Sequence, residues 1–354
     1  MTATDPTPSS TVLANVQEYY GKILSSTKDL KTSACCTSAA PHPLIRAALK
    51  KVPAEVTDRY YGCGNPIPLG IEGLTVLDLG CGTGRDVYIA AGLVGEKGEV
   101  IGVDMTDEQL KVARDALPAF AKQFTYTPRV KFAKAYIENL DAIVPANSID
   151  LCISNCVINL SPDKEAVLRG VYNALKEGGE MYFSDVYCDR RMPEALVGDK
   201  ILYGECLSGA LYINDFVRLC HKVGFTDPRA LSSAPIELRD PAIAELCGNI
   251  KFYSITYRLF KLPSLETLCE DYGQVATYLG TIPGHTHAYE LDDHHTFVTG
   301  KPVLVCGNSA DMVGRTWLGK HFKVDGDRSV HFGAFDCAPV PGGSSSSPAA
   351  GGCC

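Results

Sequence analysis

Apolar residues along this chain fall into short runs that alternate with longer amphipathic stretches. Residues 75–79, 100–103, 130–135, 149–154 and 180–184 read as strands, and 107–122 and 162–176 carry the apolar spacing of helices. Gly178-Gly179 reads as the stop of the second helix. Apolar strands alternating with amphipathic helices predict an α/β domain on a parallel, doubly wound sheet. After about Asp189 the rhythm changes. A helix to about Leu207, another over 214–221 and a strand over 252–259 are expected there, then a small mixed α+β domain over 261–337. Upstream, residues 1–15 are rich in Thr, Pro and Ser and are expected to be disordered, and helical patterns alternate with loops from Val16 to about Asp58. Residues 58–71 form a Gly/Pro-rich loop, and 338–354 a low-complexity tail that ends in Cys353 and Cys354. No internal repeat is visible. The expected units are therefore 1–58, 59–189, 190–260, 261–337 and 338–354.

Composition narrows the class. The 354 residues are 45% hydrophobic and 21% charged, which suits a globular chain of two or three units. A formal charge of −8 argues against nucleic acid or anionic membranes as partners. No apolar run is long enough to span a bilayer. The N-terminus lacks a basic region followed by an apolar stretch, and the first arginine is Arg46, so neither a secretory signal nor a transit peptide is expected and the location is read as cytoplasmic. Fifteen cysteines are more than packing alone suggests. Their number is odd, their spacing irregular, and no Cys-x-x-Cys pair occurs. In a reducing compartment they read as buried hydrophobes, ligands or reactive thiols rather than disulfides.

The first strand runs into Leu77-Asp78-Leu79-Gly80-Cys81-Gly82-Thr83-Gly84-Arg85-Asp86. Glycines there let the backbone turn tightly and let a ligand approach closely. In a pyrophosphate-binding G-x-G-x-x-G loop the third glycine would stand where Arg85 is. The pattern D-x-G-x-G-x-G, with Asp78, Gly80, Gly82 and Gly84, resembles motif I of class I S-adenosylmethionine methyltransferases, whose glycine turn accommodates the amino-acid moiety of the cofactor. Asp104 ends the second strand twenty residues past Gly84, where a carboxylate can accept both ribose hydroxyls. Met105 is expected against the adenine. The resemblance places Ile137 and Glu138 at the adenine as well. Asn155 lies at the carboxyl end of the fourth strand, where ligands of such sheets bind. Another nucleotide-binding Rossmann-like domain is the alternative.

Four further segments carry a closer resemblance: Arg59-Tyr-Tyr-Gly-Cys63-Gly, Ser154-Asn-Cys156-Val-Ile-Asn-Leu, Phe183-Ser-Asp-Val and Gly204-Glu-Cys206-Leu-Ser-Gly-Ala-Leu-Tyr. Together with Asp29-Leu-Lys-Thr-Ser-Ala-Cys35 they resemble the arsenite methyltransferases, over roughly residues 28 to 337. The resemblance implies a Rossmann-like class I sheet over 59–189, an arsenic-binding segment over 190–260 and a small C-terminal domain over 261–337. It makes Cys63, Cys156, Cys206 and either Cys35 or the adjacent Cys36 the ligands of trivalent arsenic, and it puts Tyr61 with the cofactor set. The implied methyl donor is S-adenosyl-L-methionine. A thiol reductant such as glutathione or thioredoxin is expected beside it, trivalent arsenicals, among them glutathione conjugates, are the expected substrates, and the chain is expected to be a monomer.

The chemistry agrees. Trivalent arsenic is soft and takes thiolates in place of its hydroxyls. Three sulfurs leave its lone pair exposed as the nucleophile, no proton must leave it, and no general base is needed. Cys81, Cys152, Cys220, Cys247, Cys269 and Cys306 lack a supporting motif and read as structural, and His294-His295 as a solvated loop pair. Some family members carry a further cysteine where Gly248-Asn-Ile250 stands here, so a redox role at that position does not transfer. A methyltransferase of a small organic acceptor and a non-enzymatic arsenic- or zinc-binding sensor are the rival readings. Cofactor consumption separates the sensor from the enzymes.

Overall fold

A computed structural model describes residues 41–58, 62, 64–197, 199, 202 and 206–336. Cys35, Cys36, Tyr61, Cys63, Cys353 and Cys354 lie outside the described residues, as do the segments 1–15 and 338–354. The chain enters through α1 (Pro43–Leu49), where Pro43 opens the helix and the His42 side chain accepts from the Leu44 N–H, and then α2 (Ala54–Thr57).

The alternating region follows as β1 (Thr75–Leu79), α3 (Arg85–Val94), β2 (Glu99–Asp104), α4 (Asp107–Ala121), β3 (Val130–Lys134), β4 (Ile149–Asn155), α5 (Lys164–Ala174) and β5 (Leu175–Cys188). β1, β2, β3, β4 and β5 pair in parallel in the order β3-β2-β1-β4-β5. β1 and β4 are buried along nearly their whole length, which is why they read as apolar runs without alternation. β3, at the sheet edge, is only half-buried. Gly178-Gly179 does not stop α5, which ends at Ala174. The pair lies in the irregular first part of β5, where Gly178 N–H donates to Lys261 O and Lys261 N–H to Gly179 O, both at 2.9 Å.

Beyond β5 come α6 (Glu194–Val197), β6 (Leu211–Tyr212), α7 (Ile213–Val223), β7 (Arg229–Pro235), α8 (Pro241–Cys247) and β8 (Phe252–Phe260). β8 inserts between β5 and β7 and runs antiparallel to both, so the sheet is mixed rather than wholly parallel. The expectation of a parallel sheet came from the strands before residue 189. The antiparallel pair is made by the chain after the rhythm changes, and β7 was not foreseen because Arg-Ala-Leu-Ser-Ser-Ala-Pro carries too little apolar pattern.

The C-terminal part holds β9 (Glu270–Asp271), β10 (Val275–Tyr278), β11 (Ala288–Glu290), β12 (Thr296–Val298), β13 (Pro302–Leu304), α9 (Gly307–Gly314), β14 (Phe322–Asp325) and β15 (Gly333–Ala334). Its apolar residues Tyr278, Phe297, Met312 and Phe322 join the same buried cluster as Val76 and Val87 of the sheet layer. Two buried arginines tie it to the sheet. Arg258 of β8 chelates Glu180 of β5 at 2.6 and 3.0 Å and reaches Tyr289. Arg229 of β7 holds Asp292, which holds the His295 ring at 2.8 Å. The His294-His295 pair is therefore not uniformly solvated: His294 is exposed, whereas His295 turns inward onto Asp292. Among the described residues no helix is long and apolar enough to cross a membrane.

Candidate active site

The turn between β1 and α3 requires its glycines. Gly80, Gly82 and Gly84 have φ of +63°, +52° and +87°, a region that disfavours side chains. A Cβ on Gly80 would also collide with the Val157 side chain, so the turn closes directly on the segment after β4. Among the described residues a Cβ on Gly82 would meet nothing within 4 Å, so its backbone borders space into which a ligand can come close.

Asp104, at the carboxyl end of β2, faces this turn. Its Oδ2 accepts from Gly82 N–H at 2.9 Å and its Oδ1 from Thr106 N–H at 2.8 Å. Each oxygen keeps a lone pair for a hydroxyl donor. Burial raises its pKa, and the backbone donors pull it back. Asp78 is pushed well above the usual carboxylate range, first by burial and then by the charges of Asp86 and Asp104. A ligand bearing a sulfonium and an α-ammonium suits three clustered carboxylates, and the open side of Gly82 gives it room. Asn155 locks the wall of the site: its side chain exchanges hydrogen bonds with both backbone groups of Gly64 at 3.0 and 3.1 Å and donates to Asp86 at 3.1 Å. Ile137 is buried after β3, and Glu138 accepts from the Ser161 hydroxyl through one oxygen while its other oxygen is buried without a partner among the described residues.

The second half of the site follows β4. Cys156 has φ +55° and Cys206 φ +60°; with Asn147 they are the non-glycine residues of positive φ among the described residues. Such a backbone costs roughly 1–3 kcal/mol and persists where the surroundings enforce it, often at functional sites. Cys156 N–H donates to Ser184 O at 2.9 Å, and Cys206 Sγ donates to Cys156 O at 3.4 Å. Both cysteines are buried, at 4% and 1% exposure. Met105 packs on the apolar cluster that contains them, which joins the end of β2 to the cysteine pair. Gly209 lies so close on the Asn159 carbonyl that a Cβ there would collide with it, and this seats the Cys206 loop on the turn after Cys156.

Cys156 and Cys269 each take part in a disulfide bond, contrary to the expectation that cysteines of this chain avoid disulfides. That expectation rested on their odd number, their irregular spacing and a reducing compartment, none of which records which sulfurs the fold brings together. Burial holds the Cys81, Cys152 and Cys220 thiols well above their ordinary pKa and pushes Cys188 up to about 12, so these stay protonated.

Three polar residues of the site were not singled out in the sequence. Asp185 accepts from the Asn159 backbone N–H at 3.1 Å and from its amide at 2.8 Å, and burial pushes its pKa up to about 6. Lys164, at the start of α5, donates to Asn159 O at 3.2 Å and to Ser161 O at 2.9 Å. Asn159 and Asp185 belong to segments already quoted for their resemblance, but nothing in one dimension shows that they meet. Among the described residues no group of three His, Cys, Asp or Glu side chains is arranged to hold a metal ion.

The sheet order β3-β2-β1-β4-β5-β8-β7, the glycine turn and the acidic end of β2 define a class I S-adenosylmethionine-dependent methyltransferase. A family model described as a methyltransferase domain matches residues 71–224. An arsenite methyltransferase of Aquipseudomonas alcaligenes is 52% identical over 91% of this chain and 93% of its own length. The arsenite methyltransferase of Mus musculus is 44% identical over 84% of this chain and 80% of its own length. The crystal structure of CrArsM, an arsenic(III) S-adenosylmethionine methyltransferase from Chlamydomonas reinhardtii, superposes with a TM-score of 0.82 at 59% identity, covering 84% of this chain and 100% of that one. The chain belongs to the arsenite methyltransferase family.

Proposed function

We propose that this chain methylates trivalent arsenic held by cysteine thiolates, and that Cys156 and Cys206 are the pair nearest the transferred methyl. The observation that carries the reading is the placement of the Cys206 sulfur on the Cys156 carbonyl, in a turn whose next residue, Val157, packs on Gly80 of the cofactor loop. Gly64, the neighbour of position 63, is bonded to Asn155, the neighbour of Cys156, which supports Cys63 as the third sulfur. Cys35 or Cys36 would help capture the substrate.

The residues present suit S-adenosylmethionine: Asp78, Gly80, Gly82, Gly84 and Asp104 would hold its amino-acid and ribose parts, with Met105, Ile137, Glu138 and Tyr61 around the adenine. When bound it supplies a methyl group made electrophilic by the adjoining sulfonium. The cysteines hold arsenic with its lone pair turned toward that methyl, and the enclosed turn fixes their mutual orientation, from which most of the acceleration comes. No residue needs to take a proton from arsenic.

The disulfide at Cys156 gives a thiol reductant its role. Two reductant thiols open the bond, becoming a disulfide themselves, and leave two cysteine thiols able to bind arsenic. Glutathione or thioredoxin would serve, and arsenic could arrive as a glutathione conjugate. The reading takes the protein as a cytoplasmic monomer, with residues 59–189 binding the cofactor, 190–260 contributing to arsenic binding and 261–337 forming a C-terminal domain. Incubation with arsenite, S-adenosylmethionine and glutathione, followed by mass spectrometry of the arsenicals, should show methylated arsenic; cofactor turnover without any methylated arsenical would defeat the proposal.

Asp104→Ala tests the cofactor half. Its carboxylate would accept the ribose hydroxyls, and such charge-assisted bonds are worth roughly 1.5–3 kcal/mol. Cofactor affinity should therefore fall by about tenfold or more by calorimetry, while arsenite binding changes little. Unchanged cofactor affinity removes Asp104 from the site.

A further inference from the structure

Lys164 is an inward-turned cation that the methyl-transfer scheme leaves unused. Two of its three ammonium protons are given to the carbonyls of Asn159 and Ser161, and among the described residues no carboxylate lies within ion-pair distance of it. The Asn159 carbonyl it grips is the one on which Gly209 of the Cys206 loop rests, so the ammonium stands at the seam between the two cysteine-bearing segments. The ionisable groups facing it are Asp185, Cys206 and Glu138. The side chain is half-buried, and holding a cation there with the nearest carboxylates beyond ion-pair distance is costly. A cation held beside the substrate site, beyond ion-pair reach of those carboxylates, suits an anion that forms there during the reaction cycle.

Arsenous acid carries hydroxyls on arsenic, and each sulfur that binds must displace one. Hydroxide, the conjugate base of water with its pKa of ~15.7, is a poor leaving group and departs readily only as water, once a proton reaches it. The enclosed cysteine pair gives bulk solvent little access to deliver one. A second polar group lies in the Cys206 loop: the Ser208 hydroxyl is buried, at 3% exposure, and has no hydrogen-bond partner among the described residues. It is available to an oxygen on arsenic.

Building on the arsenic reading, we propose that Lys164 is the proton donor for the exchange of arsenic-bound hydroxide for cysteine thiolate, with Ser208 holding the departing oxygen. In one exchange a cysteine thiolate forms the As–S bond and the As–O bond breaks. The hydroxide takes a proton from Lys164 and leaves as water. The neutral amine then takes the proton of the next cysteine thiol, which becomes the next thiolate. The sum is one thiol and one As–OH giving one As–S and one water. Burial holds the ammonium pKa down to about 8, which lets it give and regain the proton near neutrality.

The test uses leaving-group chemistry. A glutathione thiolate, whose thiol has a pKa near ~8.5, departs as an anion without an acid. Pre-reduced wild type, Lys164→Met and Lys164→Gln are mixed in a stopped-flow instrument with arsenite or with preformed arsenic triglutathione. Arsenic–thiolate absorption in the ultraviolet is followed without S-adenosylmethionine, and methylated product is measured separately with it. Lys164→Gln keeps a hydrogen-bond donor, on a shorter side chain, but carries no acidic proton. Both variants should capture arsenite at least about a hundredfold more slowly, and should capture arsenic triglutathione within about threefold of wild type, since general-acid help is then superfluous. Equal slowing with both forms would make Lys164 a purely structural clamp, and a normal arsenite rate in Lys164→Gln would remove the proton transfer; either overturns the proposal. If wild type captures neither form, the arsenic reading itself fails, which is a different result.

Discussion

Cys156→Ser and Cys206→Ser should each stop methylation of both arsenite and methylarsenite, whereas Cys63→Ser should lose the arsenite step and keep much of the methylarsenite step. Arsenite offers three bonds to sulfur. Methylarsenite already spends one on carbon and can take only two thiolates. The pair that suffices for it should be the pair closest to the cofactor turn, and Cys156 and Cys206 occupy that place: one sulfur lies on the other residue's carbonyl, beside Val157 and Gly80. A serine hydroxyl is a hard, poorly ionised ligand for soft arsenic. Outer partners of a metal site alone are worth roughly 10–100-fold, so loss of a direct ligand should exceed about a hundredfold. Each substrate is supplied separately to each variant under saturating reductant and the products are counted by mass spectrometry. Equal loss on both substrates in Cys63→Ser would end the division of labour, and full activity in Cys156→Ser would end the site.

The left-handed backbone at both cysteines bears on the same experiment. A serine tolerates φ near +55° about as well as a cysteine does, so the substitution removes the sulfur without adding a steric penalty. Melting temperature should hold while activity goes. A fall in both would point to a structural role for the thiols, and in Cys156→Ser it would in part report the missing disulfide.

What could be read from the sequence follows from how local each signal is. β1 was visible to the residue because a strand buried on both faces is a continuous apolar run closed by glycines. β5 was seen only from Glu180 on, since its first residues, Leu-Lys-Glu-Gly-Gly, look like a helix end. β7 was missed because an edge strand needs little apolar surface, and the antiparallel direction of β8 depends on where the chain returns from, which no periodicity records. The cofactor turn was legible for a different reason: positive φ demands glycine, so backbone geometry is written directly into residue identity at positions 80, 82 and 84.

The acceptor site was legible only as far as sulfur marks itself. Cys156 and Cys206 stood out as residue types, but the hydroxyl of Ser208, the ammonium of Lys164 and the carboxylate of Asp185 are common side chains whose meaning lies in burial and partnership. His295 shows the reverse error. A His-His pair between acidic residues looks like a solvated loop, yet Arg229 and Asp292 draw one ring inward and leave the other outside.

Glu180→Ala should be among the most destabilising single changes in the chain, by roughly 3–5 kcal/mol, because it strands a buried guanidinium. Arg258 is almost fully buried, and both nitrogens of its fork facing β5 go to the two Glu180 oxygens. Its other hydrogen bonds among the described residues go to the Tyr289 hydroxyl and the Leu291 carbonyl, which do not neutralise it. Trp317 Nε1 donates to Glu180 at 2.8 Å, so the same substitution also frees the indole from the C-terminal side. The aromatic faces of Tyr182, Phe260 and Tyr289 lie 5.1–5.7 Å from the guanidinium and recover part of the loss. The double variant Glu180→Leu, Arg258→Met removes both charges together and fills the space with apolar atoms, and it should be more stable than Glu180→Ala although it differs from wild type at two positions. Urea unfolding of the three proteins gives the comparison. If Glu180→Ala unfolds within about 1 kcal/mol of wild type, the pair is not the clamp between β5, β8 and the C-terminal strands. If the double variant is the weakest of the three, the charges themselves are net stabilising. Either way Ser184, four residues along β5, still accepts from Cys156, so arsenite capture measured at low temperature should change far less than the unfolding free energy.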